Sequence, residues 1–331
     1  MPIARIASAR VLAAVVALGL TVAGCTPPEA TPEPVPPSPS VTVIDLTTPE
    51  PEPTPTPTPE PTDPLPSGAV NALFLGSDTR DATGFGTGDR SDVIVLAHIT
   101  AARDKLYLIS VARDTYVDIP GAASSKVNSA YARGGAELAT KTISKLFGDA
   151  EISFTAETSF NSFTDLVGAL GGITVTNAHA STVGAMSFPK GELKLTKENA
   201  LTYVRQRKGL PMGDLDRAER HRAAITGILD RLAELSKEPA ELASVMPALV
   251  DNVRVTGDFD LAKAQALVPI ATGLERSDVV SLMVPLKSFG MIRGASVDLI
   301  NETKMAALVK ALKADTLDEY VDKYGTSYAL G

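Results

Sequence analysis

A proline-rich segment limits which part of this sequence can fold. Residues 26–66 contain 16 prolines and seven Asp or Glu residues, but no Lys or Arg. Proline lacks a backbone N–H and interrupts helices and central strands, so a segment of this composition stays extended and solvated. We therefore predict a disordered linker over residues 26–66, which could reach roughly 130 Å. A single folded domain is expected over residues 67–331.

The segment before the linker has the pattern of an export signal. Arg5 and Arg10 precede the apolar run 11–23, and the small-residue stretch TVAGC ends at Cys25. The apolar run is shorter than the roughly 20 residues of a membrane-spanning helix. VAGC resembles the bacterial lipobox, so residues 1–25 are predicted to be a lipoprotein-type signal with Cys25 as the lipidated residue. An uncleaved anchor and a spare thiol are the alternatives.

Composition argues against nucleic-acid binding and against internal disulfides. The chain has a formal net charge of −8, most of which belongs to the linker, so the folded part is close to neutral. Together with the absence of Trp, this gives nucleic-acid binding little support. Cys25 is the only cysteine, so an exported domain has no internal disulfide and depends on its hydrophobic core.

Three short apolar runs after Gly68 predict the first strands of a sheet. Residues 70–75, 92–99 and 105–111 read VNALFL, DVIVLAHI and KLYLISV, and they are short and rich in β-branched residues. Only residues 100–104 separate the last two runs, which is typical of a β-hairpin. We therefore predict an antiparallel meander of three strands.

The rest of the domain alternates helical and strand patterns, which predicts an α/β domain with helices layered on a sheet. Gly171 and Gly172 are expected to end one helix before the strand ITV. The predicted helices contain GAELATKTISKLFG, SFNSFTDLVGALGG, ENALTYVRQR, RAERHRAAITGILDRLAELS, DLAKAQALVPIA and NETKMAALVKALKA, and VVSLMV is a further predicted strand.

The predicted meander brings charged residues from distant positions to one edge of the sheet. In such a meander the end of strand one, the start of strand two and the end of strand three share an edge. Those places read GSDTR, GDRSD and ARDTY. The residues expected to converge there are Asp78, Arg80, Arg90, Asp92, Arg113 and Asp114. Surface ion pairs, each contributing about 0 to 1 kcal/mol, are the alternative interpretation.

A second group of arginines lies in residues 203–222, YVRQRKGLPMGDLDRAERHR. A helix is expected to begin near Asp216, which would form a capping pair with Glu219. Arg217 and Arg220 would then lie in the first turn, where cations oppose the helix dipole by roughly 0.3 to 1 kcal/mol each. A phosphate bound at the helix start would turn this penalty into binding energy.

The combination of arginine and aspartate predicts a metal-bridged pyrophosphate. Arginine forks bind phosphate oxygens in pairs, and carboxylates hold hard cations such as Mg²⁺. Arg205 and Arg207 end the preceding helix, where positive charge is favourable even without a ligand.

Two other kinds of site are not expected. GFGTGD (84–89) lacks the Gly-Lys-Ser/Thr ending of a P-loop. His98, His179 and His221 lack zinc-ligand spacing, so zinc is not expected.

At these residues the sequence resembles the LytR-CpsA-Psr family of bacterial cell-wall phosphotransferases, from about Asn71 to Ala224. The motifs are LGSDTR, DRSDVIVLAHI, SVARDTYVDIPG, KVNSAYARGG, FTDLVGALGGITV, ALTYVRQRK and GDLDRAERHR, in family order and spacing. The resemblance implies a three-layer α/β/α sandwich with a central, mostly antiparallel sheet and an apolar groove for a prenyl chain. It also implies Mg²⁺-dependent transfer of a glycopolymer from a polyprenyl-pyrophosphate carrier to peptidoglycan.

The resemblance also implies roles for individual residues. Asp78 and Asp92 match the carboxylates associated with Mg²⁺, and Asp114 follows Arg113 in the family motif. His221 is a departure, because the family usually has Gln there, which predicts a difference in donor binding or activity. The arginines that match pyrophosphate-binding positions are Arg80, Arg90, Arg113, Arg205, Arg207, Arg217 and Arg220.

In the implied reaction a peptidoglycan hydroxyl attacks the sugar-linked phosphorus and polyprenyl phosphate leaves, while the protein positions the groups and neutralises charge. The expected location is the outer face of the bacterial cytoplasmic membrane, with a lipid anchor at Cys25. Two other functions stay open: a binding protein that holds polyprenyl phosphates without catalysis, and a hydrolase that uses water as the acceptor.

Overall fold

The computed structural model describes residues 64–78 and 89–326, so the predicted signal segment and nearly all of the linker lie outside it. Fourteen strands occur in the described ranges. They are β1 (Val70–Ser77), β2 (Ser91–Ile99), β3 (Leu106–Ser110), β4 (Tyr116–Val117), β5 (Ser125–Lys126), β6 (Phe154–Ser159), β7 (Ile173–Asn177), β8 (Ser181–Val183), β9 (Met186–Phe188), β10 (Gly191–Leu195), β11 (Arg254–Gly257), β12 (Val279–Met283), β13 (Leu286–Ile292) and β14 (Ala295–Ile300).

Eight α-helices occur in the same ranges; six of them correspond to predicted segments, whereas those at 239–252 and 317–324 were not predicted. The eight are α1 (Asn128–Leu146), α2 (Phe160–Ala169), α3 (Lys197–Arg205), α4 (Asp214–Leu235), α5 (Pro239–Asn252), α6 (Leu261–Gly273), α7 (Glu302–Ala314) and α8 (Leu317–Tyr324). Within residues 64–78 and 89–326, none of these helices combines the length and apolar character needed to cross a membrane.

The central sheet has six strands in the order β11-β6-β1-β2-β3-β12. The strands β1, β2 and β3 form the predicted antiparallel meander, and β11 is antiparallel to β6. The other two neighbours, β6 with β1 and β12 with β3, are parallel. The sheet is therefore mixed and mostly antiparallel, which confirms the expected fold class.

Helices cover both faces of the sheet because its side chains alternate between two cores. Leu73, Leu96 and Ile109 point to a core with α1, α7 and α8. Their neighbours Ala72, Val95 and Leu108 point to the opposite face, where they pack against Ile225 and Leu229 of α4. Burying each such aliphatic side chain contributes about 1.5 to 3 kcal/mol, so these two cores are the main source of stability.

The glycines after α2 behave as expected. Gly171 and Gly172 have φ angles of 72° and 95°, a left-handed conformation that costs glycine little. A Cβ on Gly172 would lie 2.8 Å from the Leu195 carbonyl oxygen, so the chain passes too close for a larger residue. These two residues end α2 and let β7 begin at Ile173.

Candidate functional site

A β-bulge places Asp92 at the edge of the sheet where β1 ends and β2 begins. Gly76 pairs with Val93 and Ser77 pairs with Ser91, so Asp92 has no partner residue on β1. A bulge of this kind turns a side chain out of the regular alternation. Beyond it the pairing continues, because Asp78 N donates to Arg90 O at 3.0 Å and Arg90 N donates to Asp78 Oδ1 at 2.9 Å.

Two arginines from different elements bind the Asp92 carboxylate. Arg113 Nη1, from the turn after β3, lies 2.8 Å from Asp92 Oδ1, and Arg217 Nη1, from α4, lies 3.1 Å from Asp92 Oδ2. Burial by itself would raise the pKa of Asp92, but Arg217 and Arg113 outweigh it and lower that pKa. The Asp92 side chain, about one tenth exposed, is therefore an anion near neutral pH.

Asp214 is a second anionic centre, which our interpretation of the sequence missed. Its Oδ1 lies 2.7 Å from Arg217 Nη2, 3.7 Å from Arg113 Nε and 3.8 Å from Arg207 Nε. Its position three residues before Arg217 would have been a signal only if the helix had been predicted to begin at Asp214, as it does, because residues three apart on a helix share a face. Asp214 thus connects three arginines that the sequence places up to 104 positions apart.

A third group of charges borders Arg113. Asp114 Oδ1 lies 3.0 Å from Lys126 Nζ and 3.9 Å from Arg113 Nε, while Asp298 N, on β14, donates to the Asp114 carbonyl oxygen at 2.9 Å. Burial, together with the negative charges of Asp114 and Asp214, raises the pKa of Asp298 to about 6. Lys126 and Asp298 are further residues that sequence reasoning did not include.

Several buried donors at this edge have no hydrogen-bond partner among the described residues. They are Nε of Arg113, Nε of Arg217 and the hydroxyls of Ser77, Ser91 and Ser110, which lie at the ends of β1, β2 and β3. An unpaired buried donor costs about 1 to 3 kcal/mol. Donors grouped in this way fit an anionic ligand whose oxygens would accept from them.

An apolar groove lies directly behind the charged edge. It has a volume of about 250 Å³ and runs between the sheet and helices α2, α4 and α5. The side chains that give it its apolar character include Phe74, Val93, Phe163, Ile228 and Leu249. The resemblance predicted an apolar groove, and its use for a prenyl chain stays a prediction.

His221 forms a wall shared by the groove and the charged cluster. Its Nε2 donates to the carbonyl oxygen of Val204 at 2.9 Å, which assigns the proton to Nε2. Burial, together with the positive charge of the neighbouring Arg217, lowers the pKa of His221 to about 3. His221 is therefore a neutral hydrogen-bond donor that ties α4 to the end of α3.

Arg205 and Arg220 lie away from the Asp92 carboxylate. The exposed Arg205 stacks on Phe160, with 5.1 Å from its Cζ to the ring centroid, and Phe160 lines the groove. Arg220 is buried over Tyr203, and its guanidinium donates to Gln206 Oε1 at 2.8 Å and to Ser181 Oγ at 2.7 Å. These contacts support a structural role for Arg220, whereas its predicted role in binding pyrophosphate stays a prediction.

The start of α4 differs from the sequence prediction. Gly213 is the N-cap residue and the helix begins at Asp214, so Asp216 does not form a capping pair with Glu219. Asp216 Oδ2 instead accepts a hydrogen bond from Met212 N at 2.7 Å. The reason is that Gly213 has a φ of 56°, which reverses the chain one turn earlier than the charge pattern indicated.

The remaining predicted residues are placed as follows. Asp78 and Arg90 are exposed at the edge of the sheet. Arg80 and Cys25 lie outside the described residues. The structure thus brings Asp92, Arg113, Arg207 and Arg217 into one cluster, next to Asp78, Arg90 and Asp114.

The donor set at this edge fits a magnesium ion. Mg²⁺ binds carboxylate oxygens, and each oxygen of an ionised carboxylate has about two lone-pair directions. The single arginine bond to each Asp92 oxygen therefore leaves room for a cation to share that carboxylate. Asp78, at the adjoining strand end, is the second residue that would hold it.

Sequence comparison finds similar proteins among known cell-wall enzymes. Proteins named polyisoprenyl-teichoic acid–peptidoglycan teichoic acid transferase TagU are similar to this chain. The one from Oceanobacillus iheyensis is 33% identical over 222 residues, covering 65% of this chain and 67% of the relative. That from Bacillus subtilis is 32% identical over 191 residues, covering 57% of this chain and 60% of the relative, so the match spans less than two thirds of that protein.

Solved structures agree with the sequence relatives. The structure of TagT bound to LIIa-WTA has a TM-score of 0.61 at 27% identity and covers 75% of this chain and 91% of that one. B. subtilis TagU has a TM-score of 0.59 at 25% identity, covering 75% and 97%. The model of the LytR_cpsA_psr family matches residues 48–314. On the basis of this match, which includes every residue of the charged edge and the groove, the chain belongs to the LytR-CpsA-Psr family.

Proposed function

We propose that this chain transfers a glycopolymer from a polyprenyl-pyrophosphate carrier to a hydroxyl of peptidoglycan, forming a phosphodiester outside the cell. The observation that carries the proposal is the wall shared at His221 by the apolar groove and the charged cluster. A prenyl diphosphate has an apolar tail attached to an anionic head. The groove suits the tail, and the edge with Asp92, Arg113 and Arg217 suits the head.

The residues at the edge would act by positioning and charge neutralisation. Arg113 and Arg217 would hold the diphosphate through their Nε donors, which make no hydrogen bond within the described part of the chain. The acceptor hydroxyl attacks the sugar-linked phosphorus, a new P–O bond forms, the bond to the bridging oxygen breaks, and polyprenyl phosphate leaves. Preorganised charges of this kind lower the barrier because they need no rearrangement as negative charge shifts to the leaving group.

Asp78 and Asp92 would hold Mg²⁺, which would neutralise charge on the diphosphate when bound. The arginines that bind Asp92 fix the direction of its carboxylate and keep it ionised. A lipid at Cys25 and the proline-rich linker would keep the domain near its membrane-embedded donor. The names of the relatives support a polymer carried on a polyisoprenyl lipid.

The test is transfer from a synthetic polyprenyl-pyrophosphoryl saccharide to peptidoglycan fragments by the purified protein. We expect a phosphodiester-linked product together with polyprenyl phosphate, and at least a tenfold loss of rate when EDTA removes divalent ions, restored by Mg²⁺. Tight donor binding without product would instead indicate a binding protein. Release of phosphates with water as the only acceptor would indicate a hydrolase.

A charge in the groove should weaken binding of the prenyl chain. Ile228 lines the groove from α4 and is half-buried, so Ile228→Glu would place a carboxylate against the lipid tail. We expect the KM for a long-chain donor to rise at least tenfold, while a donor with a short, water-soluble chain is affected much less. Ile228→Leu is the matched control and should behave like the unaltered protein. Equal effects of Ile228→Glu on both donors would contradict the assignment of the groove.

A further inference from the structure

Three potential metal ligands converge on the face of α4 near its first turns, outside the charged cluster at Asp92. His179 comes from the loop after β7, and Asp216 and Glu219 come from α4. His179 Nε2 lies 3.6 Å from Asp216 Oδ1 and 3.8 Å from Glu219 Oε2. One ligand atom from each residue lies within 4.8 Å of the other two.

The spacing of these atoms differs from that of hydrogen bonds and is close to that of metal ligands. Histidine bound directly to a carboxylate has much shorter distances, and in this protein His98 Nε2 lies 2.8 Å from Asp315 Oδ1. A tetrahedral zinc ion with bonds of about 2.1 Å keeps its ligand atoms roughly 3.4 Å apart. The two His179 distances exceed that separation by only a few tenths of an ångström.

The surroundings hold the three groups in place without filling the space between them. A cavity of about 10 Å³, lined by all three residues, lies at this point and is about the size needed for one water molecule. Asn177 Nδ2 and Arg220 Nη2 donate to the His179 carbonyl oxygen at 2.9 and 3.3 Å, which fixes the loop independently of the imidazole ring.

The charge at this place also favours a cation. Asp216 is almost fully buried, while His179 and Glu219 are about one third exposed, so one side of the group faces solvent. Arg220 is the neighbouring positive charge, and its guanidinium donates to Gln206, Ser181 and backbone carbonyl oxygens. Among the described residues that line this cavity, two carboxylates face one arginine, an excess of negative charge that favours a cation.

We propose that His179, Asp216 and Glu219 bind one divalent transition-metal ion, with zinc as the best fit, and with water as a fourth ligand on the exposed side. An imidazole nitrogen with two carboxylate oxygens suits zinc better than magnesium, which prefers oxygen ligands alone. The ion would tie the loop after β7 to α4. It would thereby steady the first turn of α4, where Arg217 follows Asp216 and reaches Asp92.

The proposal is tested by zinc titration of the purified protein without a polyhistidine tag, after treatment with a chelator. We expect about one zinc ion to bind and the midpoint of thermal unfolding to rise by roughly 5 °C when zinc is 100-fold above its Kd. Co²⁺ in place of zinc should give the intense visible absorption of a four-coordinate site. A midpoint that zinc does not change, or cobalt spectra of a six-coordinate ion, would overturn the proposal.

Variants separate this site from the one at the sheet edge. His179→Ala and Glu219→Gln should each weaken zinc binding at least about tenfold and remove the absorption of Co²⁺. Glu234→Gln, on the exposed surface of the same helix, is the matched control and should bind zinc normally. Asp92→Asn should also keep the zinc-dependent rise. If Asp92→Asn abolishes zinc binding and His179→Ala does not, the ion belongs to the sheet edge and the proposal fails.

Discussion

Replacing Arg113 by alanine is expected to lower the rate of polymer transfer at least 100-fold while the domain stays folded. Arg113 binds Asp92 Oδ1 at 2.8 Å, and its Nε has no hydrogen-bond partner among the described residues. Loss of one preorganised donor to a developing charge costs on the order of 10² to 10³ in rate. Asp92 keeps its bond to Arg217 Nη1 in this variant, so its carboxylate is not left without a cation.

Initial rates with the prenyl-pyrophosphate donor measure this effect, and thermal unfolding measures the fold. Arg133→Ala is the matched control, since Arg133 is an exposed arginine on α1, and it should retain nearly full activity. Arg113→Lys should recover only part of the rate, because lysine keeps the charge but not the planar fork. Transfer by Arg113→Ala within threefold of the unaltered protein would show that the cluster does not bind the reacting diphosphate.

Replacing Asp298 by asparagine should stabilise the protein above pH 6. Asp298 is 8% exposed, and its pKa is raised to about 6 by burial and by the charges of Asp114 and Asp214, against the opposing effect of Lys126 and Arg113. Because folding raises this pKa, the native state binds the proton of Asp298 more tightly than the unfolded chain does. Ionising Asp298 in the native state therefore costs on the order of 3 kcal/mol more than in the unfolded chain.

The sign of the pH dependence follows from these pKa values. Below about pH 4 Asp298 is protonated in both states and has no differential effect. Between about pH 4 and 6 the unfolded chain releases the proton first, so the free energy of unfolding falls as the pH rises. The D298N variant lacks this fall, and it should match the unaltered protein near pH 4 and exceed it at pH 7.5.

Urea unfolding at pH 4.5 and pH 7.5 tests this expectation. Asp322→Asn is the control, because Asp322 is exposed on α8. A rise of the unfolding midpoint for D298N that is much larger at pH 7.5 than at pH 4.5, with no such change for D322N, is the expected pattern. An equal effect of D298N at both pH values would mean that burial and the anionic neighbours do not raise the pKa of Asp298.

Sequence patterns predicted much of the fold because strand formation and short connections depend on neighbouring residues. Short apolar runs rich in β-branched residues and a five-residue connection predicted the meander of β1, β2 and β3, and that topology brings the strand ends together. The approach of Asp92 to Arg113 therefore follows from the order of the strands. The proline content likewise predicted that residues 26–66 lie outside the domain, which stays a prediction.

Only the tertiary structure decided which arginine of α4 reaches Asp92. Arg217 and Arg220 are three residues apart in the same motif, yet Arg217 binds Asp92 and Arg220 packs on Tyr203. The sequence does not contain this difference, because it depends on how α4 is rotated against the sheet. A small rotation of a helix exchanges the neighbours of such side chains at nearly constant local energy.

By itself, the sequence determined the family, the pairing of the first three strands and most of the charges at the sheet edge. Packing decided the shared wall at His221, the roles of Asp214 and Asp298, and the grouping of His179 with Asp216 and Glu219. Histidine spacing gave no sign of that last group, because its members are distant in sequence and come from a loop and a helix. The burial of a side chain and its contacts with distant segments exist only in the packed chain. They determine the charge state and the partners of each side chain.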